Sequence, residues 1–267
     1  MVSLPPFYSR VVTFDVTADA YGRFMGRFSE PLAEQFVALA GVSAGQRALD
    51  VGCGPGALTA RLVERLGVDA VAGVDPSASF VAAARARFPG LDVREGRAEA
   101  LPFADGSFDA VLAQLVVHFM DDPVAGLREM GRVARPGGTV AACVWDYGGG
   151  AGPLSLFWRA VHDLDPAAAD ESRLPGTRKG HLAALAGEAG LVDVQLSALT
   201  VMLGFDTFAD WWEPYTFGVG PAGGYVGRLS DTDREAVAAR CAELLGPPPF
   251  EVRASAWAVT ARATPAG

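Results

Sequence analysis

The feature that most constrains the fold is a glycine-rich loop between an apolar strand and a helix. Gly52, Gly54 and Gly56 follow a strand-like run at 47–51, and a helical pattern occupies 58–65. A glycine turn from strand to helix brings backbone N–H groups and a helix N-terminus close to a ligand, because no Cβ stands in the way. The loop therefore predicts an α/β fold with a ligand bound at this turn.

Beyond the loop, strand-like and helix-like segments alternate. The predicted strands are apolar throughout and occupy 47–51, 70–75, 91–95, 108–117 and 139–145, with helices at 58–65, 77–87 and 124–133. Buried parallel strands are apolar on both faces, so the alternation predicts a doubly wound, mostly parallel sheet covered by helices on both sides. Two later strands are expected at 191–203 and 251–262.

The N-terminal part of the chain has aromatic residues at helical spacing. Residues 1–45 predict an amphipathic helical extension or lid, with Pro31 in the first turn of a helix. A second interpretation places Tyr21 and Arg27 at the mouth of the ligand pocket. Both interpretations make the extension a cover for the main domain.

Residues 46–267 predict one main domain with two cap insertions, at about 148–180 and 204–249. The second insertion is rich in tryptophan and tyrosine. These rings are expected to form the core of a cap, and the alternative is that they wall an acceptor pocket, which would favour an apolar or aromatic acceptor.

Charge and cysteine content exclude several classes of function. The net charge is −9 and no basic run is present, which argues against nucleic-acid binding. No apolar run reaches the roughly 18 residues of a membrane helix, and no signal peptide is recognisable. The three cysteines are isolated, which predicts neither disulfides nor a metal site and fits a cytoplasmic protein.

The loop alone does not identify its ligand, since residues 52–57 also fit the G-x-G-x-x-G/A dinucleotide fingerprint. Asp50 argues against a dinucleotide ligand, because its carboxylate would repel a pyrophosphate and suits a cationic amino or sulfonium group. Asp75, about 20 residues beyond the loop, is placed to accept hydrogen bonds from ribose hydroxyls. The alternative role for Asp75 is a carboxylate stabilising a helix N-terminus. Pro76 and Phe80 could flank an adenine ring.

Five motifs occur in register, at 49–56, 73–77, 100–103, 107–111 and 135–138. Together they resemble the Rossmann-like class I S-adenosylmethionine-dependent methyltransferases, and within them a small-molecule branch that includes ubiquinone and menaquinone biosynthesis enzymes. The resemblance covers about residues 45–145, and segments outside that range resemble a bacterial subgroup. It implies a seven-stranded sheet with an antiparallel last strand, and S-adenosylmethionine as cofactor.

The resemblance also implies roles for residues. Asp50 and the Gly52–Gly54 loop would hold the methionine part of the cofactor, Asp75 the ribose, and Gln114 would face the amino group. The adenine contact would fall to the Ala98 backbone or Glu99, because Arg97 stands where the family usually has aspartate. The complete predicted cofactor site is Tyr21, Arg27, Asp50, Gly52, Cys53, Gly54, Asp75, Pro76, Ala98, Glu99 and Gln114.

Methyl transfer from a sulfonium needs mainly alignment of the acceptor and exclusion of water. A base is needed only where the acceptor must lose a proton, and His118 is the candidate, the alternative being a packing histidine. The predicted function is methyl transfer to the oxygen, nitrogen or carbon of a small molecule. A cofactor-binding protein without methyl transfer and an NAD(P)-linked oxidoreductase remain as alternatives, and the oligomeric state stays open.

Overall fold

A seven-stranded sheet organises the chain in this computed structural model, which describes residues 18–264. The strands are β1 Ala48–Val51, β2 Val71–Asp75, β3 Asp92–Glu95, β4 Phe108–Gln114, β5 Ala134–Trp145, β6 Val192–Phe205 and β7 Phe250–Arg262. Their order is β3-β2-β1-β4-β5-β7-β6. Strands β1 to β5 pair in parallel, and β7 runs antiparallel to both β5 and β6. The predicted mostly parallel sheet with an antiparallel last strand is confirmed.

Ten α-helices surround the sheet within the described range. They are α1 Ala18–Tyr21, α2 Arg27–Leu39, α3 Ala57–Leu66, α4 Ala78–Arg87, α5 Pro123–Val133, α6 Ser155–Leu164, α7 His181–Glu188, α8 Phe208–Trp212, α9 Gly220–Val226 and α10 Asp231–Leu245. No helix among residues 18–264 is long and apolar enough to span a membrane.

The N-terminal extension is helical from the first described residue. A π-helical turn, Gly22–Gly26, joins α1 to α2, and residues 1–17 of the predicted extension lie outside the described part. Pro31 lies in the second turn of α2, so the prediction that it begins a helix is wrong. The helix continues through it because Phe28, Leu32 and Phe36 form one buried face, whose burial outweighs the missing hydrogen bond.

Strand β4 ends at Gln114, three residues earlier than predicted. Leu115 has a φ of 62°, and a 3₁₀ turn, Val117–Phe119, follows. This left-handed residue reverses the chain at the carboxyl end of the sheet. The reversal carries His118 into the space above the strands.

The two cap segments share an aromatic core. The ring of Tyr215 stacks on Phe157 at 4.6 Å between centroids and lies 4.8 Å from Trp211 and 4.9 Å from Phe24. An ion pair at 2.8 Å between Arg240 and Asp163 also joins α10 to α6. Neither Tyr215, Phe157 nor Trp211 lines the main cavity described below, which agrees with the predicted cap core.

Candidate functional site

The candidate site is a cavity of about 500 Å³ above the carboxyl ends of the parallel strands. Its walls come from α1 and the π-helical turn after it, the glycine loop, the turns after β2, β3, β4 and β5, and both caps. The predicted residues that line it are Tyr21, Gly52, Gly54, Asp75, Pro76, Ala98, Glu99, Gln114 and His118. A smaller cavity of about 30 Å³ adjoins it beneath the loop and is lined by Asp50 and Cys53, with Gly52, Gly54 and Gln114 shared.

Two glycines of the loop have different physical requirements. Gly52 has a φ of 69°, and a Cβ there would lie 2.4 Å from a methyl carbon of Val116, so packing excludes any side chain. Gly54 has a φ of 51°, yet no described atom lies within 4 Å of the place of a Cβ. The space beside Gly54 is therefore open for a ligand to approach the backbone.

The backbone N–H groups of the loop are already bonded inside the protein. Those of Gly52 and Cys53 donate to the carbonyl of Val74 at 2.7 and 3.0 Å, and that of Gly54 donates to the Asp75 carboxylate at 2.9 Å. These N–H groups thus already have acceptors within the protein, and their contact with the ligand stays a prediction. The loop is held against β2 by its donors, which leaves few of them for a pyrophosphate.

Asp50 is the buried acid at the end of β1, with 1% of its surface exposed. Its Oδ2 accepts a hydrogen bond from the Thr59 hydroxyl at 2.6 Å, whereas Oδ1 has no partner among residues 18–264. Burial, with a smaller contribution from the Asp75 charge, raises the pKa of Asp50 to about 7. A cationic group beside Oδ1 would satisfy that oxygen and restore the carboxylate.

Gln114, at the end of β4, offers a second unpartnered acceptor. Its amide nitrogen donates to the Ser29 carbonyl of α2 at 3.0 Å, which orients the side chain. Its buried Oε1 has no partner in the described part of the chain. Gln114 and Asp50 line the same small cavity. Two lone acceptors in one small cavity fit the amino group of an amino-acid ligand.

Asp75 holds the start of α4, as its alternative role describes, and also lines the cavity, where its ribose contact stays a prediction. Its Oδ1 accepts from the Ser77 N–H at 2.8 Å at the start of α4, and its Oδ2 accepts from Gly54. Burial raises its pKa, although both hydrogen bonds oppose that change. Each oxygen keeps further acceptor capacity toward the cavity, as ribose hydroxyls require. Asp75 therefore fixes the loop and also faces the ligand space.

The segment predicted to meet adenine is tied to the turn after β4. Glu99 accepts from the Asp121 N–H at 2.9 Å, and the exposed Arg97 guanidinium donates to the Asp121 carboxylate. The Glu99 carboxylate is thus engaged in holding this turn. Ala98 lines the cavity between them and is buried, so its backbone is the better candidate for an adenine edge.

Three predicted residues need comment. Arg27 lies away from the cavity, because its guanidinium donates to the Asp210 carbonyl at 3.0 Å and lies 4.5 Å from the Phe205 ring centroid. This corrects its expected place at the pocket mouth. Cys53 turns its thiol toward Gly73 of β2. Tyr21 does lie at the cavity, with its ring 5.5 Å from that of Phe80.

His118 occupies the wall of the cavity as predicted, but its electrostatic surroundings do not favour base work. The ring is buried, its Nδ1 has no partner among the described residues, and burial lowers its pKa to about 3. The imidazole is therefore neutral across the physiological range and holds a transferred proton poorly. Its ring packs 3.9 Å from that of Phe119, as the packing alternative describes.

Sequence reasoning missed Glu171 and Tyr147. Both are buried and line the cavity, Tyr147 directly after β5 and Glu171 within the first cap insertion. Burial raises the pKa of Glu171 to about 8. No motif surrounds Glu171 in the sequence, so nothing local marks it as a cavity residue. Among residues 18–264, no group of three or more His, Cys, Asp or Glu side chains could hold a metal ion.

Known proteins resemble this chain over the region that forms the loop half of the cavity. The family model for a methyltransferase domain matches residues 49–142. An uncharacterized methyltransferase of Mycobacterium tuberculosis is 44% identical over 104 residues, which cover 39% of this chain and 41% of the relative. The demethylmenaquinone methyltransferase of Beutenbergia cavernae is 46% identical over 98 residues, which cover 37% of this chain and 40% of the relative. The matches thus span about two fifths of the length of these curated relatives.

Likeness in structure extends further along the chain. Geranyl diphosphate C-methyltransferase from Streptomyces coelicolor, solved with Mg²⁺, geranyl diphosphate and S-adenosyl-L-homocysteine, superposes with a TM-score of 0.52 at 15% identity. The superposition covers 90% of this chain and 80% of that enzyme. At such identity it shows the fold alone. Residues 49–142 therefore resemble a methyltransferase domain, and the chain has the Rossmann-like fold seen in class I S-adenosylmethionine-dependent methyltransferases.

Proposed function

We propose that this protein transfers a methyl group from S-adenosylmethionine to a small molecule bound in the same cavity. The observation that carries the proposal is the pair of buried, unpartnered oxygens, Asp50 Oδ1 and Gln114 Oε1, on the small cavity beneath the glycine loop. An unpaired buried acceptor is costly, and an ammonium group bound between these two would satisfy both.

The rest of the loop half of the cavity suits the remaining parts of the cofactor. Asp75 presents acceptor capacity to ribose hydroxyls, and Pro76 and Phe80 offer apolar surface to an adenine ring. When bound, the cofactor supplies a methyl group on a positively charged sulfur, which is already activated as a leaving group. The chain must then align the acceptor and exclude water, and a largely buried cavity does both.

The oxidoreductase alternative is disfavoured by the same geometry. A dinucleotide pyrophosphate at the loop would meet the Asp50 carboxylate and N–H groups that already donate to Val74 and Asp75. A measurement of turnover distinguishes the main proposal from the alternative of cofactor binding without methyl transfer. A cytoplasmic, bacterial-type enzyme is part of the proposal, supported by three free cysteines and by the relatives' bacterial sources.

Isothermal titration calorimetry with S-adenosylhomocysteine and, separately, with NADH tests the cofactor. We expect saturable binding of S-adenosylhomocysteine and none of NADH. Asp75→Asn should weaken S-adenosylhomocysteine binding by on the order of tenfold, since one acceptor becomes an amide donor. Asp69→Asn, the same change at an exposed site before β2, should have no effect. Tight NADH binding with no response to S-adenosylhomocysteine would contradict the proposal.

Formation of S-adenosylhomocysteine from S-adenosylmethionine, measured over a panel of small apolar and aromatic acceptors, tests the transfer itself. Product formation that depends on an acceptor supports an enzyme. Binding without turnover across the whole panel would favour the cofactor-binding alternative.

A further inference from the structure

The half of the cavity farthest from the loop is a chamber with aromatic walls. We call it the acceptor chamber, and its apolar walls are Phe24, Met25, Phe119, Trp145, Tyr147, Leu154, Val219 and Pro221. Flat aromatic walls favour a planar, apolar ligand, because rings pack face to edge or offset against each other. The chamber's buried polar groups therefore decide which functional group that ligand carries.

Glu171 is the buried acid of the acceptor chamber, with 2% of its surface exposed. Its Oε2 has no hydrogen bond of good geometry in the described part of the chain, and the nearby Trp158 indole, whose Nε1 is also unpartnered, only partly opposes the rise in the pKa of Glu171. Burying a carboxyl group without partners costs about 1–3 kcal/mol or more. Such a group is expected where a ligand supplies the missing partner.

The backbone around Glu171 is held firmly. Its 3₁₀ turn, Glu171–Arg173, is capped by the Asp170 side chain, which accepts from the Ser172 N–H. The Thr177 hydroxyl donates to the Ser172 carbonyl at 3.1 Å, and the Gly148 N–H donates to the Thr177 carbonyl at 3.0 Å. This chain of bonds ties the turn to the end of β5. Glu171 is therefore positioned by the sheet and not by a free loop.

The acceptor chamber offers no counter-charge for an anion. Among the described residues that line the whole cavity, the one cationic side chain is Arg97, and it pairs with Asp121 beside the adenine segment. An acceptor carboxylate or phosphate would meet Glu171 and a neutral His118 without compensation. The chamber therefore disfavours an anionic acceptor.

We propose that Glu171 is a catalytic residue that binds and deprotonates the hydroxyl group of an uncharged aromatic acceptor in this chamber. The inference rests on the proposed function and deepens it. The acceptor oxygen forms the new bond to the methyl carbon while the carbon–sulfur bond breaks, and that electron pair stays on sulfur as a thioether. The hydroxyl proton passes to a carboxylate oxygen of Glu171, which later releases it to water.

Two buried titratable groups of the cavity, His118 and Glu171, are candidates for the base that accepts the hydroxyl proton. Burial lowers the pKa of His118 to about 3, whereas it raises that of Glu171 to about 8. A group whose pKa lies near neutrality accepts a proton more effectively than one that stays weakly basic. The other titratable groups around Glu171 are Asp170 on its own turn, Tyr147 after β5 and Tyr215 in the second cap.

The test compares wild type with Glu171→Gln, Glu171→Leu and Glu235→Gln, the last at an exposed site on α10. Calorimetry with S-adenosylhomocysteine comes first and should give the same affinity for all four proteins. Failure of wild type to bind it would contradict the proposed function and not the role of Glu171. Thermal unfolding of each variant checks that the fold is kept.

Four naphthalene probes are then titrated into the S-adenosylhomocysteine complex: 2-naphthol, 2-methoxynaphthalene, 2-naphthoate and 2-(aminomethyl)naphthalene. Wild type should bind 2-naphthol about tenfold more tightly than its methyl ether, because only the hydroxyl donates to Glu171. Glu171→Leu should lose that preference. Tighter binding of the carboxylate or of the amine, or an unchanged preference in Glu171→Leu, would overturn the inference.

Turnover with 2-naphthol gives the second readout. The wild-type rate should rise with pH, reach half its maximum near pH 8 and level off above about pH 9, as Glu171 becomes a carboxylate. Glu171→Gln should lower kcat by on the order of 100-fold with KM little changed, and Glu235→Gln should match wild type. A wild-type pH profile retained in Glu171→Gln would also overturn the inference, as would no turnover of 2-naphthol by wild type.

Discussion

The two halves of the cavity are built differently. The cofactor half, beside the glycine loop, uses residues at the ends of β1, β2 and β4 that lie within about 70 positions of one another along the chain, from Asp50 to Gln114. The acceptor chamber uses the π-helical turn after α1, the turn after β4, the end of β5 and both caps. The cofactor half is rich in acceptors that hydrogen bonds within the protein hold in place, whereas the chamber is apolar with a few buried polar groups. The strand ends of the sheet thus form the half proposed for the cofactor, and the segments around the sheet form the half proposed for the acceptor.

The largest expected effect falls on the cofactor half. Asp50→Asn should weaken S-adenosylhomocysteine binding by on the order of 100-fold or more, because it removes the charge that pairs with the amino group. Calorimetry measures this loss, and Asp69→Asn is the matched control. Affinity within threefold of wild type would show that Asp50 does not hold the cofactor.

The same variant should not harm the fold. The pKa of Asp50 in the folded protein, about 7, lies above its ordinary value of 3.8, so folding favours the protonated form. The stability that this provides is lost as the pH rises through 7. At pH 8, Asp50→Asn should therefore be as stable as wild type or more stable, by up to ~3 kcal/mol, in chemical denaturation. A less stable variant would mean that Asp50 is chiefly structural.

A substitution in the cap should show the opposite pattern, which is lost stability with little change in cofactor affinity. Tyr215 is fully buried among Phe157, Trp211 and Phe24 but does not line the cavity. Tyr215→Leu should lower the unfolding free energy by roughly 3 kcal/mol, through lost packing and ring contacts. Its affinity for S-adenosylhomocysteine should stay within about twofold of wild type.

Tyr225→Leu provides the comparison within the same cap, because this ring is only partly buried. It should cost about 1 kcal/mol. A loss of cofactor affinity in Tyr215→Leu, measured under conditions where the variant is fully folded, would show that the two halves are coupled.

The contrast between the halves also explains what the sequence could predict. Buried parallel strands are apolar throughout, so strand positions and the mostly parallel sheet follow from the pattern. Asp50, Asp75 and Gln114 stand at the ends of such strands, and their place at the cavity follows from that. Arg27 is the first residue of α2, and helix phase rather than spacing along the chain turns its side chain toward Phe205.

The acceptor chamber depends on contacts between distant segments, which no local pattern encodes. Glu171 reaches the cavity because Thr177 and Gly148 hold its turn against the end of β5. Pro31 illustrates the same limit, since tertiary burial of one helix face overrides its local preference. The N–H groups of the glycine loop show the same limit. They donate to the Val74 carbonyl and the Asp75 carboxylate, which belong to β2 and not to the loop's own segment.

The pH dependence of cofactor binding distinguishes the two halves of the cavity, because each half has its own buried acid, Asp50 or Glu171. S-adenosylhomocysteine binding should weaken as the pH falls below about 7, by up to tenfold per pH unit, because protonated Asp50 cannot pair with an ammonium. In Asp50→Asn this dependence should disappear. Glu171 should contribute nothing to it, since its transition acts on turnover in the acceptor chamber. A pH dependence of cofactor binding that survives in Asp50→Asn would place the titrating group elsewhere.

The smallest effect is expected at Arg97, the position where the resemblance to class I methyltransferases implies an aspartate. The Arg97 side chain is 55% exposed and pairs with Asp121, which is 69% exposed, so the ion pair contributes at most about 1 kcal/mol. Since the buried Ala98 backbone is the candidate for the adenine edge, Arg97→Ala should change S-adenosylhomocysteine affinity by less than about threefold.

Arg128→Ala, at an exposed position of α5, is the matched control for the loss of one surface arginine. Equal, small effects of the two substitutions would confine the cofactor half to the buried groups at the strand ends. A loss above about tenfold in Arg97→Ala alone would instead bring the guanidinium into the adenine contact, since an exposed ion pair cannot account for that much affinity.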